Sequence, residues 1–171
     1  MFSQGTIESS RIATNVAIQG SGFFVLDGLQ GRSYTRAGNF TFDSLLVADR
    51  RSQPITKDGP PRLLGTNNHV VVPVNKTVRL ITTGADVIHS WTIPAFGVKI
   101  DAVPGRINQS WFKATKEGTY YGQCSELCGA RHAFMPITVD VVSQEKFDQW
   151  VAEAKTKFAA AGAPTRLAAG Q

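Results

Sequence analysis

The chain has 171 residues, enough for one domain of about 100–150 residues plus extensions. With 42% hydrophobic and 18% charged residues it is neither disordered nor fibrous in composition. The formal charge is +5, but Lys and Arg are scattered along the chain. That pattern argues against nucleic-acid or anionic-membrane contact, and the excess is expected to be solvated surface. No stretch reaches the roughly 18 apolar residues of a membrane span, and the first residues lack the pattern of a secretion signal.

In chain order, Ile18 to Leu26 is an apolar run broken by Gly20 and Gly22, which predicts a strand pair or a bulged strand. Arg32 to Asp43 alternates aromatic with polar residues and is a second strand signal. Ala48 to Pro61 holds charges, two prolines before its end and the pair Asp58-Gly59, a linker composition. Beyond it, strands are predicted at Val70–Val72, Val78–Thr82, Ser110–Ala114, Tyr120–Tyr121 and Ile137–Val142, with turns at Asn75, Gly105 and Gly118. In the last run Ile137, Val139 and Val141 face one way while Thr138 and Asp140 face the other. A helix follows: Ser143 is a suitable N-cap, and Phe147, Trp150, Val151, Ala154 and Phe158 fall on one face. The expected fold is all-β, a Greek-key sandwich with a C-terminal helix, in a domain from 61 to 161. Residues 162–171, rich in Gly and Ala, are expected to be a disordered tail.

Sulfur is concentrated. Apart from Met1, every Cys and Met lies between Cys124 and Met135, in the spacing C-x3-C-x3-H-x2-M with His132 between them. Thiolate, imidazole and thioether favour copper, whereas structural zinc more often uses C-x2-C pairs and has little use for Met. If two ions share the site a distant ligand is needed, and His89 is expected to supply it from a loop after a strand. The competing reading is a Cys124–Cys128 disulfide. His69 is expected to be merely packed or solvated, and Trp91 to be core packing beside the ligand loop.

Three segments carry a resemblance: Ala85-Asp-Val-Ile-His-Ser-Trp91, Asp101-Ala-Val-Pro-Gly-Arg-Ile-Asn-Gln109 and Tyr121-Gly-Gln-Cys-Ser-Glu-Leu-Cys-Gly-Ala-Arg-His-Ala-Phe-Met-Pro136. Together they resemble the soluble domain of cytochrome c oxidase subunit II. The resemblance implies a cupredoxin-like fold and a binuclear copper centre bridged by Cys124 and Cys128. It assigns terminal ligation to His89 and His132, a weak thioether to Met135 and a backbone carbonyl to Glu126. It further implies magnesium at the Glu126 carboxylate, shared with the catalytic subunit, and docking of cytochrome c near Asp86. Implied with these are electron transfer from cytochrome c to haem in catalytic subunit I, an oxygen-reducing site on that other chain, and the periplasmic face of a bacterial inner membrane. The copper domain of nitrous oxide reductase is a rival, against which the His89-Ser-Trp91 and Ala102-to-Arg106 segments argue. Rivals from other classes are a flagellar hook or rod structural subunit, favoured only by residues 1–44, and a disulfide-stapled binding domain.

The chain departs from that family in lacking the two transmembrane helices and the early aromatic cluster through which electrons enter. Instead Gln4-Gly-Thr-Ile-Glu8, Ala17-Ile-Gln-Gly-Ser-Gly-Phe-Phe-Val25 and Tyr34-Thr-Arg-Ala-Gly-Asn-Phe40 resemble the N-terminal region of flagellar hook and rod proteins. The expectation is therefore a chimera: a flagellar-like fragment over 1–44, a linker over 45–60, then the copper domain.

Overall fold

A computed structural model describes residues 22–28, 31–36, 40–47 and 59–158. The expected tail, residues 1–21 and most of the 45–60 linker lie outside them. Ten strands and one helix follow in order: β1 (Gly22–Gly28), β2 (Gly31–Arg36), β3 (Phe40–Ser44), β4 (Val70–Pro73), β5 (Thr77–Gly84), β6 (His89–Ile93), β7 (Val98–Ala102), β8 (Asn108–Lys113), β9 (Gly118–Gln123), β10 (Pro136–Val142) and α1 (Gln144–Lys157).

The strands form a five-stranded sheet in the order β3-β2-β1-β5-β8, a three-stranded sheet β4-β10-β9 and the pair β6-β7. All pairings are antiparallel except β1 with β5 and β10 with β4. Between the sheets lie Val70, Val72, Leu80, Trp91, Ile93, Phe112, Ile137, Val139 and Val141, all buried. The period-two face of β10 thus points inward as its sequence dictates. On β4, Val70 and Val72 face this core, while Val71 packs on Phe147 and Val151 of α1. The helix is fixed at its start by the Ser143 side chain, which accepts from the Lys146 N–H.

Two sequence expectations are corrected here. His89 does not sit on a loop; it is the first residue of β6, a strand of only five residues whose Ser90 is buried along with Trp91 and Ile93. Nor do β1–β3 stand apart from the copper domain. β1 pairs with β5 from Gly22↔Arg79 to Asp27↔Gly84, and Phe42 of β3 lies in the main core, stacked on Phe158 at 5.0 Å.

Candidate metal centre

The site is assembled from the ends of three strands. β6 brings His89 at its first residue, β9 ends one residue before Cys124, and Met135 immediately precedes β10. β6 and β9 cross closely at Gly122, where a Cβ would lie 1.8 Å from the Thr92 carbonyl oxygen, so only glycine permits the approach. Two backbone bonds then fix the sulfur loop: Ser125 N–H donates to Ser90 O at 3.1 Å and Cys124 N–H to Met135 O at 3.0 Å. A turn of 3-10 helix over His132–Phe134 folds the loop back.

The side chains converge. Cys124 Sγ lies 3.8 Å from Cys128 Sγ, and neither forms a disulfide. This is far beyond the S–S bond of about 2.05 Å in a disulfide, so the disulfide reading does not describe this structure. His89 Nδ1 is 4.0 Å from Cys124 Sγ, His132 Nδ1 is 3.6 Å from Cys128 Sγ, and Met135 Sδ is 3.5 Å from Cys128 Sγ. The Glu126 carbonyl oxygen is 3.3 Å from Cys124 Sγ. The candidate donor atoms of His89, Cys124 and Cys128 all lie within 4.8 Å of one another. Cys124, Met135 and His89 are buried, while Cys128 and His132 are half-buried.

This donor set fits copper. Two sulfurs bonded at about 2.3 Å to a common ion stand between about 3 and 4 Å apart, as these do, and thiolate with imidazole and thioether is a soft set. The residues named from sequence all meet here, except that Asp86 and the Glu126 carboxylate lie at its margin.

A family model described as the periplasmic domain of cytochrome c oxidase subunit II matches residues 29–142. The chain belongs to the cytochrome c oxidase subunit II family. The subunit II match begins inside the segment likened to flagellar proteins and runs through residue 44, and the comparisons carry no evidence for a flagellar chimera. The probable cytochrome c oxidase subunit 2 of Rickettsia bellii is 51% identical over 136 residues, covering 80% of this chain and 49% of that protein. Cytochrome c oxidase subunit 2 of Cereibacter sphaeroides is 64% identical over 93 residues, covering 54% of this chain and 31% of that protein. The chain thus spans about half the length, or less, of these curated relatives.

Among solved structures, the periplasmic domain of subunit II of cytochrome oxidase from Bradyrhizobium japonicum is 51% identical with a TM-score of 0.72, covering 81% of this chain and 95% of that one. A mixed disulfide between a thioredoxin-like protein and subunit II of cytochrome c oxidase matches with 49% identity and a TM-score of 0.67, covering 85% of this chain and 97% of that one. These likenesses bear out the cupredoxin-like β fold with a C-terminal helix.

Around this subunit II centre the structure adds detail that the sequence did not carry. Asp86 Oδ1 accepts from His89 Nε2 at 2.7 Å. Although partial burial opposes its ionisation, the His89 hydrogen bond holds the Asp86 carboxyl below its ordinary value. The Glu126 carboxylate turns outward to Lys99 Nζ at 3.7 Å, and Lys99 also approaches Asp101 at 3.5 Å. No helix among the described residues is long and apolar enough to cross a membrane.

A second polar cluster lies away from the sulfurs. His69 Nδ1 is 2.7 Å from Asp140 Oδ2, and its Nε2 is 3.2 Å from the Thr66 carbonyl oxygen. Both partners are acceptors only, so the two bonds together require a doubly protonated ring. The Asp140 hydrogen bond accordingly raises the His69 pKa above its ordinary value. Desolvation opposes ionisation of Asp140, but the bonds from His69 and Thr119 outweigh it and lower its pKa. His69 is thus neither simply packed nor simply solvated. Trp91 is core, 1% exposed and stacked near Phe112.

Proposed function

We propose that this chain is the electron-accepting domain of a cytochrome c oxidase subunit II, taking electrons singly from a c-type cytochrome and delivering them to haem in the catalytic subunit. Reduction of oxygen belongs to that other subunit. The observation that carries this reading is the close approach of the two sulfurs of Cys124 and Cys128 without a disulfide, with His89 and His132 approaching different sulfurs.

Cys124 and Cys128 would bridge two coppers, His89 and His132 would cap them, and Met135 and the Glu126 carbonyl would be weak ligands. When bound, the copper pair supplies a one-electron couple whose change in charge is spread over both ions. The protein's part is to hold its donors still. Asp86 accepts from His89 Nε2–H, which leaves Nδ1 as the free lone pair facing the sulfurs. Burial of Cys124 and Met135 keeps water from the inner side, while the backbone bonds at Cys124 and Ser125 tie the loop to rigid strands.

The outward Glu126 carboxylate supports a magnesium site shared with the catalytic subunit, and the remaining edge of Asp86 a place in cytochrome docking. The proposed location is the periplasmic face of the inner membrane. Because one solved relative is a mixed disulfide with a thioredoxin-like protein, a reductant of that class is proposed to keep Cys124 and Cys128 as thiols before metal loading. Residues 61–161 are proposed to carry every ligand and the closing helix, with 45–60 as a linker.

The test is anaerobic addition of copper to the reduced chain, followed by electron paramagnetic resonance. Two coppers per chain sharing one unpaired electron are expected. A single copper with a mononuclear spectrum at saturation would overturn the reading.

A further inference from the structure

β8 alternates sharply. Phe112 is buried, while Gln109, Trp111 and Lys113 are exposed. Its partner β5 sets Arg79 opposite Trp111 and Thr77 opposite Lys113, both again exposed. One pleated face thus gathers an indole and two cations that are far apart in sequence. Trp111 is 68% exposed, whereas Trp91 is 1% exposed.

Among the described residues neither Arg79 nor Lys113 forms an ion pair with a carboxylate. Arg79 donates from its guanidinium to the neutral Gln109 Oε1, which fixes its direction without reducing its charge. Lys76 in the β4–β5 turn and Lys116 after β8 are also exposed, close in sequence to the Thr77↔Lys113 end of the pair. β8 ends the sheet order, so this face lies at a margin of the sandwich.

We propose that the outer face of β5 and β8, centred on Trp111 between Arg79 and Lys113, rests against an anionic phospholipid headgroup layer. An indole prefers the boundary between water and hydrocarbon, where its ring is shielded and its N–H stays hydrogen-bonded. Lys and Arg near an anionic leaflet each add attraction that falls away within a Debye length. Strand-borne side chains on one pleat form a flat surface, which suits an extended charged plane. A peptide would instead be read by a groove or an open strand edge. The family model that matches this chain is that of a periplasmic domain, and such a domain in a membrane complex has a leaflet within reach.

Vesicles of phosphatidylcholine with and without phosphatidylglycerol test this, using the whole copper-loaded chain. Co-sedimentation with the anionic vesicles at low salt is expected, with loss on raising the salt and none with neutral vesicles. Trp111 emission should shift to the blue and become shielded from acrylamide, a change absent in Trp111→Phe. Arg79→Gln and Lys113→Gln should each weaken binding about fivefold, with copper content and circular dichroism unchanged. Absence of anionic-vesicle binding, or binding that the three variants leave intact, would overturn the proposal. So would a Trp111 response to poly-glutamate without one to vesicles, which would assign the face to an acidic protein.

Discussion

His89 Nε2 lies 2.7 Å from Asp86 Oδ1, and the opposite ring nitrogen faces Cys124 Sγ at 4.0 Å. The carboxylate therefore selects the tautomer and the orientation of a metal ligand from three residues away. Asp86→Ala should weaken copper binding by about 10–100-fold, the usual cost of losing such a partner, and Asp86→Asn should recover part of it because its amide oxygen still accepts. Competition with a copper chelator measures both; equal affinities for wild type and Asp86→Ala would show that β6 alone holds the ring.

The sulfurs should rank differently. Cys124→Ser or Cys128→Ser should abolish the binuclear signal, since a hydroxyl does not replace a bridging thiolate. Met135→Leu should keep both coppers and change the potential, because thioethers tune more than they hold. Metal analysis with voltammetry separates these outcomes, and loss of copper from all three variants would contradict the ranking.

The His69–Asp140 pair predicts a pH signature. His69 has a raised folded pKa, so its contribution is complete below the unfolded value of 6.5 and is lost as pH rises through the folded value. Asp140 has a lowered one, so its contribution is present above 3.8 and is lost as pH falls through the folded value. His69→Gln should therefore cost most between about pH 4 and 6.5. With the pair partly exposed, the cost should be only about 1 kcal/mol. Urea titrations at pH 5.5 and 9 test it; a penalty that grows towards pH 9 would refute the charged clasp.

Phe42 should matter as much as any residue of the copper domain. It lies in the core against Trp150 and Phe158, and Phe42→Ala should cost about 3–5 kcal/mol. A chain beginning at residue 45 should lose this contact and the β1–β5 pairing, and so unfold at lower temperature, while still binding two coppers because its ligands all follow. Calorimetry alongside copper titration distinguishes loss of stability from loss of the site.

Much of this was legible in the sequence, for identifiable reasons. The periods of two in β10 and 3.6 in α1 are written plainly in Ile137–Val141 and Phe147–Phe158, although Thr138 on the other face of β10 is buried as well. The ligands were legible because Cys, Met and His are rare here and crowd into one loop. β6 escaped because its alternation of Trp91 and Ile93 with Ser90 and Thr92 spans only five residues before Pro94. The His69–Asp140 clasp and the Arg79–Trp111 pairing escaped because cross-strand and loop-to-strand neighbours are set by register, which no local pattern encodes. The docking of the N-terminal strands onto the copper domain was not legible because it rests on a long-range pairing. What decided their place was the pairing of β1 with β5 and the burial of Phe42.

The topology also sets an order of events. β9 and β10 form an antiparallel hairpin whose connection carries both thiols, and such local pairing forms early in folding. β6, which brings His89, is separated from that hairpin in sequence, and the parallel pairing of β4 with β10 joins opposite ends of the domain. Cys124 and Cys128 therefore meet each other before they meet His89. In an oxidising compartment this interval favours the disulfide kinetically, even though the finished fold holds the sulfurs 3.8 Å apart. Yield of the metal-ready protein is then expected to fall wherever oxidation of the hairpin outruns closure of the sandwich.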